Sequence, residues 1–451
     1  MHKFFLVGTG SSSSIPKLSH AFKNILNTNN NEIKIEEYEK NLSSEDFECV
    51  DKFVEDISSK GLESIDELNN LYLKKKYPHV KDIRCYTCYD AMSNNSKNKR
   101  NNISILLKSN DSYVLIDVGK TFRDSILRNK DKINFYKINL HSVLISHSHT
   151  DALNGIDDLR DLQEFNKVQY DDVYYYTPKK IIDVYVNDVS YDRLRRGYDY
   201  LVHKRTENIF YSKIAALNIH VIKDEKYNKI LSEKTTLDDI IESDGCEIKK
   251  ENCIKNVEEE IYNKNNKACQ TNQSNYDDGK YIDNCINIHT YKKKDEYGFI
   301  YTQFDNDKNI RFIPFHHGKN YICIGYIIGN TNKLVYISDC SKLPNYILEY
   351  IKKMGSIDIL IIDALFYKRK HYSHFSLYES INIALQIKPK QVFFIGMSCD
   401  IEHNITNLFL EKLSAKYSDN IYIYIYIYNI YTFLYILKKA IILLFPFPSY
   451  F

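Results

Sequence analysis

The most constraining feature of this 451-residue chain is a buried strand that runs directly into a group of metal-binding side chains. Residues 142–146 read Ser-Val-Leu-Ile-Ser, and His147, His149 and Asp151 follow at intervals of two. A loop that leaves a strand in this way brings two imidazoles and a carboxylate within reach of one point, and zinc favours both ligand types. The segment predicts a metal site, although a bare His-x-His also occurs in ordinary polar surface loops.

Other apolar runs predict a layered α/β architecture in which early strands precede strands that alternate with helices. The predicted elements are strands at 3–7, 103–107, 113–117, 142–146, 321–328, 333–337, 357–362 and 391–395, and a helix at 377–385. Two stretches rich in Asn, Lys and Glu, at about 21–80 and 224–294, interrupt this pattern and are expected to be disordered insertions. The folded domain is expected to span residues 1–420.

Composition restricts the partners and the compartment. The 61 Lys and Arg residues nearly balance the 59 Asp and Glu residues, so no global field attracts a polyanion. The apolar start of the chain is too short for a signal peptide, and the 10 Cys residues form no tight framework. We therefore expect a cytoplasmic protein with reduced thiols.

The last residues, 421–451, have a composition unlike the rest of the chain. They begin with 17 uncharged residues that open on four Ile-Tyr repeats. An AT dinucleotide repeat translates as alternating Ile and Tyr, so our preferred interpretation is an error in the gene model. The alternative is a tail anchor, and no membrane partner is expected unless the tail is genuine.

The residues that follow Asp151 support a family resemblance. Ala152 comes next, and residues 155–160 read Gly-Ile-Asp-Asp-Leu-Arg. The whole segment resembles the metallo-β-lactamase superfamily, whose motif is His-x-His-x-Asp-His. With Ala152 at the last position, it looks like a branch related to ribonuclease Z and to the phosphoribosyl cyclic phosphodiesterase. The supporting motifs are Gly8 to Ser12, Cys85-x-x-Cys88, residues 96–102, His317-Gly-Lys, Ile337-Ser-Asp339 and Ser373-His-Phe-Ser-Leu.

This resemblance implies a four-layer αββα sandwich and a set of metal ligands. His147, His149 and His317 would bind the first metal, with His317 preferred over His316 because Gly-Lys follows it. Asp151 would belong to a second metal. Zinc is the expected cofactor, with one or two catalytic ions.

The second metal position departs from the family pattern. Asp339 would bridge the two metals, although it could instead cap a turn. Ala152 removes one imidazole, and Gly396 stands where relatives often carry another. The alternatives are an enzyme with one tight and one weaker metal, or a site completed by His403, Asp157 or Asp158.

Asp151 and His374 are the catalytic residues that the resemblance implies. His374 would stabilise a phosphorane or protonate the leaving oxygen, unless it only begins a helix. The leading hypothesis is a phosphodiesterase that acts on a small or nucleotide-derived ester. A ribonuclease that processes tRNA 3′ ends, with RNA as its substrate, is the rival, and a non-catalytic protein of the same fold is the third reading. Homodimer formation is left open.

Two further groups of residues have uncertain roles. Cys85 and Cys88 have the spacing of half a structural zinc site, and the resemblance adds Cys399, with His20 as the candidate fourth ligand; the alternative is that these cysteines are buried free thiols. The basic group Lys97, Lys99 and Arg100 is either a solvated loop or a surface that faces phosphate.

Overall fold

The structure is a computed structural model, and all statements below concern the residues it describes. These are 3–20, 61–80, 83–93, 95–135, 138–170, 172–202, 212–223, 289–290, 293–305, 308–319, 321–416 and 422–425. Most of both predicted insertions and most of the tail after residue 420 lie outside the described residues.

Sixteen strands are described, and all but two of them belong to two large sheets. The first sheet contains, in spatial order, β1 (Lys3–Gly8), β2 (Ser104–Ser109), β3 (Ser112–Ile116), β4 (Leu140–Leu144), β7 (Ile182–Asn187), β8 (Leu217–Ile222) and β9 (His289–Thr290). A separate hairpin consists of β5 (Phe165–Tyr170) and β6 (Val173–Pro178). The second sheet contains β10 (Tyr301–Asp305), β11 (Lys308–His316), β12 (Ile322–Ile328), β13 (Leu334–Ile337), β14 (Ile359–Asp363), β15 (Gln391–Ile395) and β16 (Tyr422–Ile425).

Helices connect these strands and cover the outer faces of both sheets. The α-helices are α1 (Gly61–Lys76), α2 (Tyr86–Asp90), α3 (Phe122–Arg128), α4 (Thr150–Leu153), α5 (Asp188–Gly197), α6 (Asp199–Val202), α7 (Asn345–Lys353), α8 (Leu377–Ile387) and α9 (His403–Lys416). A 3₁₀ helix covers Ile156–Leu162. None of the described helices is long and apolar enough to cross a bilayer.

Three buried apolar clusters separate four layers. The central cluster joins the sheets and includes Ile105 from the first and Phe312 from the second. One outer cluster packs the first sheet against helices through residues such as Val143 and Leu194. The other packs the second sheet against α7, α8 and α9, with Ile347 among its members. The four-layer αββα sandwich that the resemblance implies is confirmed.

The strand β14 shows why the sequence pattern is a continuous apolar run. Ile359 and Ile361 face the central cluster, whereas Leu360 and Ile362 face the outer cluster. Because both faces are buried, alternation between polar and apolar residues is lost. The prediction of a buried strand at 357–362 is confirmed, with the structure starting it two residues later.

The helix α1 is a correction to the predicted disorder of residues 21–80. Its residues Tyr72 and Leu73 are buried in the outer cluster of the second sheet. Asn69 Nδ2 also donates to the hydroxyl of Tyr367 at 2.6 Å. A few buried apolar side chains are enough to pack this helix against the second sheet. The sequence pattern does not reveal them, because Asn, Lys and Glu residues surround them.

The tail contributes to the fold at its first residues. The strand β16 pairs in parallel with β15, with Tyr422 opposite Gln391 and Ile425 opposite Phe394. The second sheet therefore extends past the predicted domain boundary at residue 420. The rest of the tail lies outside the described residues.

Candidate metal centre

His147 is the most deeply buried of the ligands predicted for the catalytic metals, with 1% of its surface exposed. The hydroxyl of Ser146 donates to Asp117 Oδ2 at 2.8 Å and lies 2.9 Å from His147 Nδ1. Because the single hydroxyl proton of Ser146 is donated to Asp117, the Ser146 oxygen must accept from Nδ1–H of His147. The other ring nitrogen, Nε2, then carries a lone pair. This buried Nε2 has no hydrogen-bond partner among the described residues. Such an atom fits a metal ligand whose other nitrogen is oriented by a neighbour.

Asp117 anchors this arrangement, and the sequence analysis missed its role. Its carboxylate accepts from Ser146 N at 2.8 Å and from the hydroxyl of Tyr336, on the opposite sheet, at 2.9 Å. Burial raises the pKa of Asp117 to about 7. The sequence signal that could have identified Asp117 is an acidic residue directly after a buried strand, because burying an unpaired carboxylate costs free energy.

The three predicted histidine ligands come together in space. His147, His149 and His317 each offer a nitrogen, and these atoms lie within 4.8 Å of one another. His317 Nδ1 donates to the Ser373 carbonyl at 2.7 Å, which leaves Nε2 3.2 Å from His149 Nδ1. Burial lowers the pKa of all three, that of His317 to about 3, so they are neutral as zinc binding requires. Among the described residues, no such group includes His316.

Two buried carboxylates stand beside these histidines. His147, Asp151 and Asp339 offer ligand atoms within 4.8 Å of one another. Asp151 Oδ1 is 3.8 Å from His147 Nε2, and within the described structure it has no hydrogen-bond partner. Burial raises the pKa of both carboxyl groups. A bound cation would relieve this cost, so the donor set fits a divalent metal.

The structure around Gly396 differs from the family pattern at the position expected for a second metal ligand. Gly396 has φ +77°, and a Cβ there would lie 2.4 Å from Asp363 Oδ1. The Asp363 side chain therefore occupies space that an imidazole at position 396 would need. The other sequence candidates lie elsewhere in the described structure: His403 beside Asn98, Asp157 paired with Arg160 at 3.0 Å, and Asp158 paired with Arg123 at 3.1 Å.

His374 lies at the edge of the cluster, with 11% of its side chain exposed. Its Nδ1 is 2.9 Å from Asp363 Oδ2 and 3.7 Å from Asp339 Oδ1. Burial alone would lower the pKa of His374, but these two carboxylates raise it to about 9. Its ligand atom also lies within 4.8 Å of those of His317 and Asp339. The geometry therefore allows His374 to carry a proton or to bind a metal.

The predicted cysteine site is also assembled. His20, Cys85, Cys88 and Cys399 offer ligand atoms within 4.8 Å of one another, and the three thiols form no disulfide. His20 Nδ1 is 3.4 Å from Cys88 Sγ and 3.6 Å from Cys399 Sγ. Three thiolates and one imidazole are a common structural zinc set. The donors fit zinc, and the site stays a prediction.

The basic group at residues 97–100 does not form a phosphate-facing surface as a unit. Arg100 is fully buried and donates to the carbonyls of Ser398 at 2.9 Å and Ile401 at 2.8 Å. Its third acceptor is Asn98 Oδ1 at 3.3 Å. Burial lowers the pKa of Arg100 to about 10, which still leaves it charged at neutral pH. Arg100 therefore holds the loop after β15 against the loop before β2.

Replacing this arginine tests its structural role. Arg100→Met removes a buried donor from the carbonyls of Ser398 and Ile401 and from Asn98 Oδ1, and we expect the free energy of unfolding to fall by about 2–3 kcal/mol. Urea denaturation measures the loss. Arg123→Met is the control, because Arg123 pairs with Asp158 at an exposed surface and should contribute less than about 1 kcal/mol. Equal losses in the two variants would contradict this role for Arg100.

Comparison with known families identifies the fold. The family model for the β-lactamase superfamily domain matches residues 260–397, and the family model for the anti-Pycsar protein Apyc1 matches residues 90–214. The first of these matches supports a member of the metallo-β-lactamase superfamily. The match and the fold also support a metallohydrolase, and the fold implies binding of a divalent metal. No curated protein sequence matches the chain.

Several solved structures are similar to this chain. A diphosphatase of the PhnP family is 15% identical, with a TM-score of 0.47 over 94% of each chain. Zinc-bound PqqB from Methylobacterium extorquens is 9% identical, with a TM-score of 0.46 over 94% of this chain and 98% of that one. The short form of human tRNase Z is 13% identical, with a TM-score of 0.39 over 66% of this chain and 87% of that one. At such identities the likeness says nothing about the substrate of this chain.

Proposed function

We propose that this metallohydrolase is a zinc-dependent phosphodiesterase that acts on a small or nucleotide-derived ester. The observation that carries the proposal is His374, an imidazole that the buried Asp363 holds at the edge of the ligand cluster. Zinc held by His147, His149 and His317 would lower the pKa of its water to about 7 and so supply a hydroxide.

The two ring nitrogens of His374 have different roles: Nδ1 orients the ring and Nε2 faces the substrate in the proposed reaction. Asp363 accepts from Nδ1–H at 2.9 Å, and because the neighbouring carboxylates raise the pKa of His374 to about 9, Nε2 also carries a proton at neutral pH and can donate to an oxygen of the substrate. In phosphodiester hydrolysis, negative charge develops on the phosphoryl oxygens and on the leaving alkoxide. A positioned donor stabilises the first or protonates the second.

Exposed cations beside the ligand cluster support an anionic substrate. The backbone N–H of Lys120 donates to the carbonyl of Thr150 at 2.9 Å, which places this exposed lysine beside Asp151. Besides burial, the charge of Arg193 lowers the pKa of His149. Since the net charge of the whole chain is only +2, attraction of an anion would come from such neighbouring cations and not from the chain as a whole.

A panel of substrates tests the proposal. Zinc-loaded protein is given bis-p-nitrophenyl phosphate, p-nitrophenyl phosphate and precursor tRNA, and we expect the diester to be hydrolysed faster than the monoester. Cleavage of precursor tRNA without hydrolysis of the small diester would favour the ribonuclease instead. A zinc-bearing protein that cleaves none of the three would be a non-catalytic member of the superfamily.

Replacing His374 separates its two geometric options. We expect His374→Ala to lower turnover of bis-p-nitrophenyl phosphate about 10²–10⁴-fold with no change in zinc content. Asp363→Asn should lower turnover less, because it disturbs only the orientation of the imidazole. Zinc stoichiometry is measured on both variants. Loss of one zinc equivalent in His374→Ala would make this residue a ligand and contradict its proposed role.

A further inference from the structure

The loop between β14 and α8 contains a basic and aromatic segment that the proposed chemistry does not use. Residues 366–374 read Phe-Tyr-Lys-Arg-Lys-His-Tyr-Ser-His, and only the last of them has a role in the proposal above. This segment, the 366–374 loop, ends at His374 and therefore borders the ligand cluster directly.

Tyr372 is the most exposed aromatic residue of this loop, with 72% of its surface accessible. Its ring is nevertheless held in place. It packs against Gly318, where a Cβ would meet the ring at 2.6 Å, and its hydroxyl accepts from Lys319 N at 2.9 Å. Gly318 also has φ +83°, so both its backbone and its contact with the ring favour glycine. An exposed aromatic ring fixed in this way is suited to contact a ligand.

The position of Tyr372 relates it to the proposed chemistry. The next residue, Ser373, accepts the Nδ1 proton of the ligand His317, and His374 follows. Gly318, which the ring covers, is the residue after His317. Tyr372 therefore stands beside the point where a phosphoryl group would meet the metal ligands.

Positive charge accompanies this ring. Lys319, Arg369 and Lys370 are exposed. Arg369 also stacks on Phe366 at 3.8 Å from the ring centre and pairs with Asp400 at 3.2 Å. An accessible aromatic face next to cations is the combination that binds a nucleotide, because the base stacks and the phosphate is neutralised.

We propose that Tyr372 is the platform for the base of a nucleotidyl phosphodiester, so that the substrate class is a nucleotide ester and not a base-free sugar phosphate. This rests on the proposed function, in which the adjacent cluster holds the phosphodiester. Stacking on a tyrosine tolerates every base, so the platform selects for the presence of a base and not for its identity.

Binding of two product-like probes tests this platform independently of catalysis. Calorimetry compares adenosine 5′-monophosphate with ribose 5-phosphate on the zinc-loaded full chain. We expect the nucleotide to bind about tenfold more tightly, and the ratio of the two affinities to fall to about one in Tyr372→Ala. Tyr372→Phe should keep the preference, whereas Tyr372→Leu should lose most of it.

The control is Tyr174→Ala, which removes a tyrosine that is 44% exposed on the separate β5–β6 hairpin and should leave the ratio unchanged. Equal affinity of the two probes for the unaltered protein, including no binding of either, would overturn the proposal. A preference that survives in Tyr372→Ala would overturn it as well. If the nucleotide preference is present but no phosphodiester is hydrolysed, the proposed function fails and the platform stands.

Discussion

His147→Ala is expected to abolish hydrolysis of bis-p-nitrophenyl phosphate and to release one zinc equivalent while the protein stays folded. The variant removes the buried Nε2 that the Ser146 and Asp117 network orients toward the other ligands. Without a metal to generate hydroxide at neutral pH, the loss of rate should exceed about 10³-fold. Zinc analysis, initial rates and circular dichroism on the same preparation measure the three effects.

The matched control is His316→Ala, in the same chain region as a predicted ligand. His316 is partly buried at the end of β11, directly before His317, but it belongs to none of the ligand groups in the described structure. It should keep its zinc and most of its activity. Retained activity in His147→Ala, or equal losses in both variants, would contradict the assignment of the ligand cluster.

Cys85→Ser is expected to release one zinc equivalent and to lower the melting temperature by about 10 °C. The cysteine site joins three segments that are distant in sequence, because His20 follows β1, Cys88 lies on α2 and Cys399 follows β15. Structural zinc contributes free energy of folding directly, so its loss destabilises all three contacts together. Calorimetric unfolding and zinc analysis provide the measurement.

Cys323→Ser controls for the change of a buried thiol to a hydroxyl. Cys323 is fully buried on β12 and lies in the outer apolar cluster, away from the cysteine site. Its replacement should cost some stability with no loss of zinc. If Cys85→Ser retains all its zinc and melts at the temperature of the unaltered protein, the cysteines are ordinary thiols and the predicted structural metal is absent.

The ligand cluster was predicted from the family resemblance, and the residues that it implies lie at the ends of strongly apolar strands. His147 follows β4, His317 follows β11 and Asp339 follows β13. Their placement at the carboxyl ends of strands can be predicted without knowledge of side-chain contacts. The predicted central strands were confirmed within one or two residues for the same reason. Buried strands carry a strong local signal.

Contacts between distant residues could not be predicted in this way. The resemblance implies that Gly396 stands where relatives often carry an imidazole, but the sequence does not show that Asp363 lies in that space. It shows a basic residue at Arg100, but not that two carbonyls three hundred residues away are its acceptors. Such pairings depend on tertiary packing, which has no periodic signature in a single chain. The same reason hid the docking of α1 through Tyr72 and Leu73.

Titration of zinc into chelator-treated protein, with activity followed at each step, tests the central claim most directly. We expect bis-p-nitrophenyl phosphate hydrolysis to be absent without metal and to rise as the site formed by His147, His149 and His317 fills. The His147→Ala variant should bind one zinc fewer and stay inactive throughout the titration. Full activity in the metal-free protein, or a filled histidine site without hydrolysis of any phosphodiester, would contradict the account.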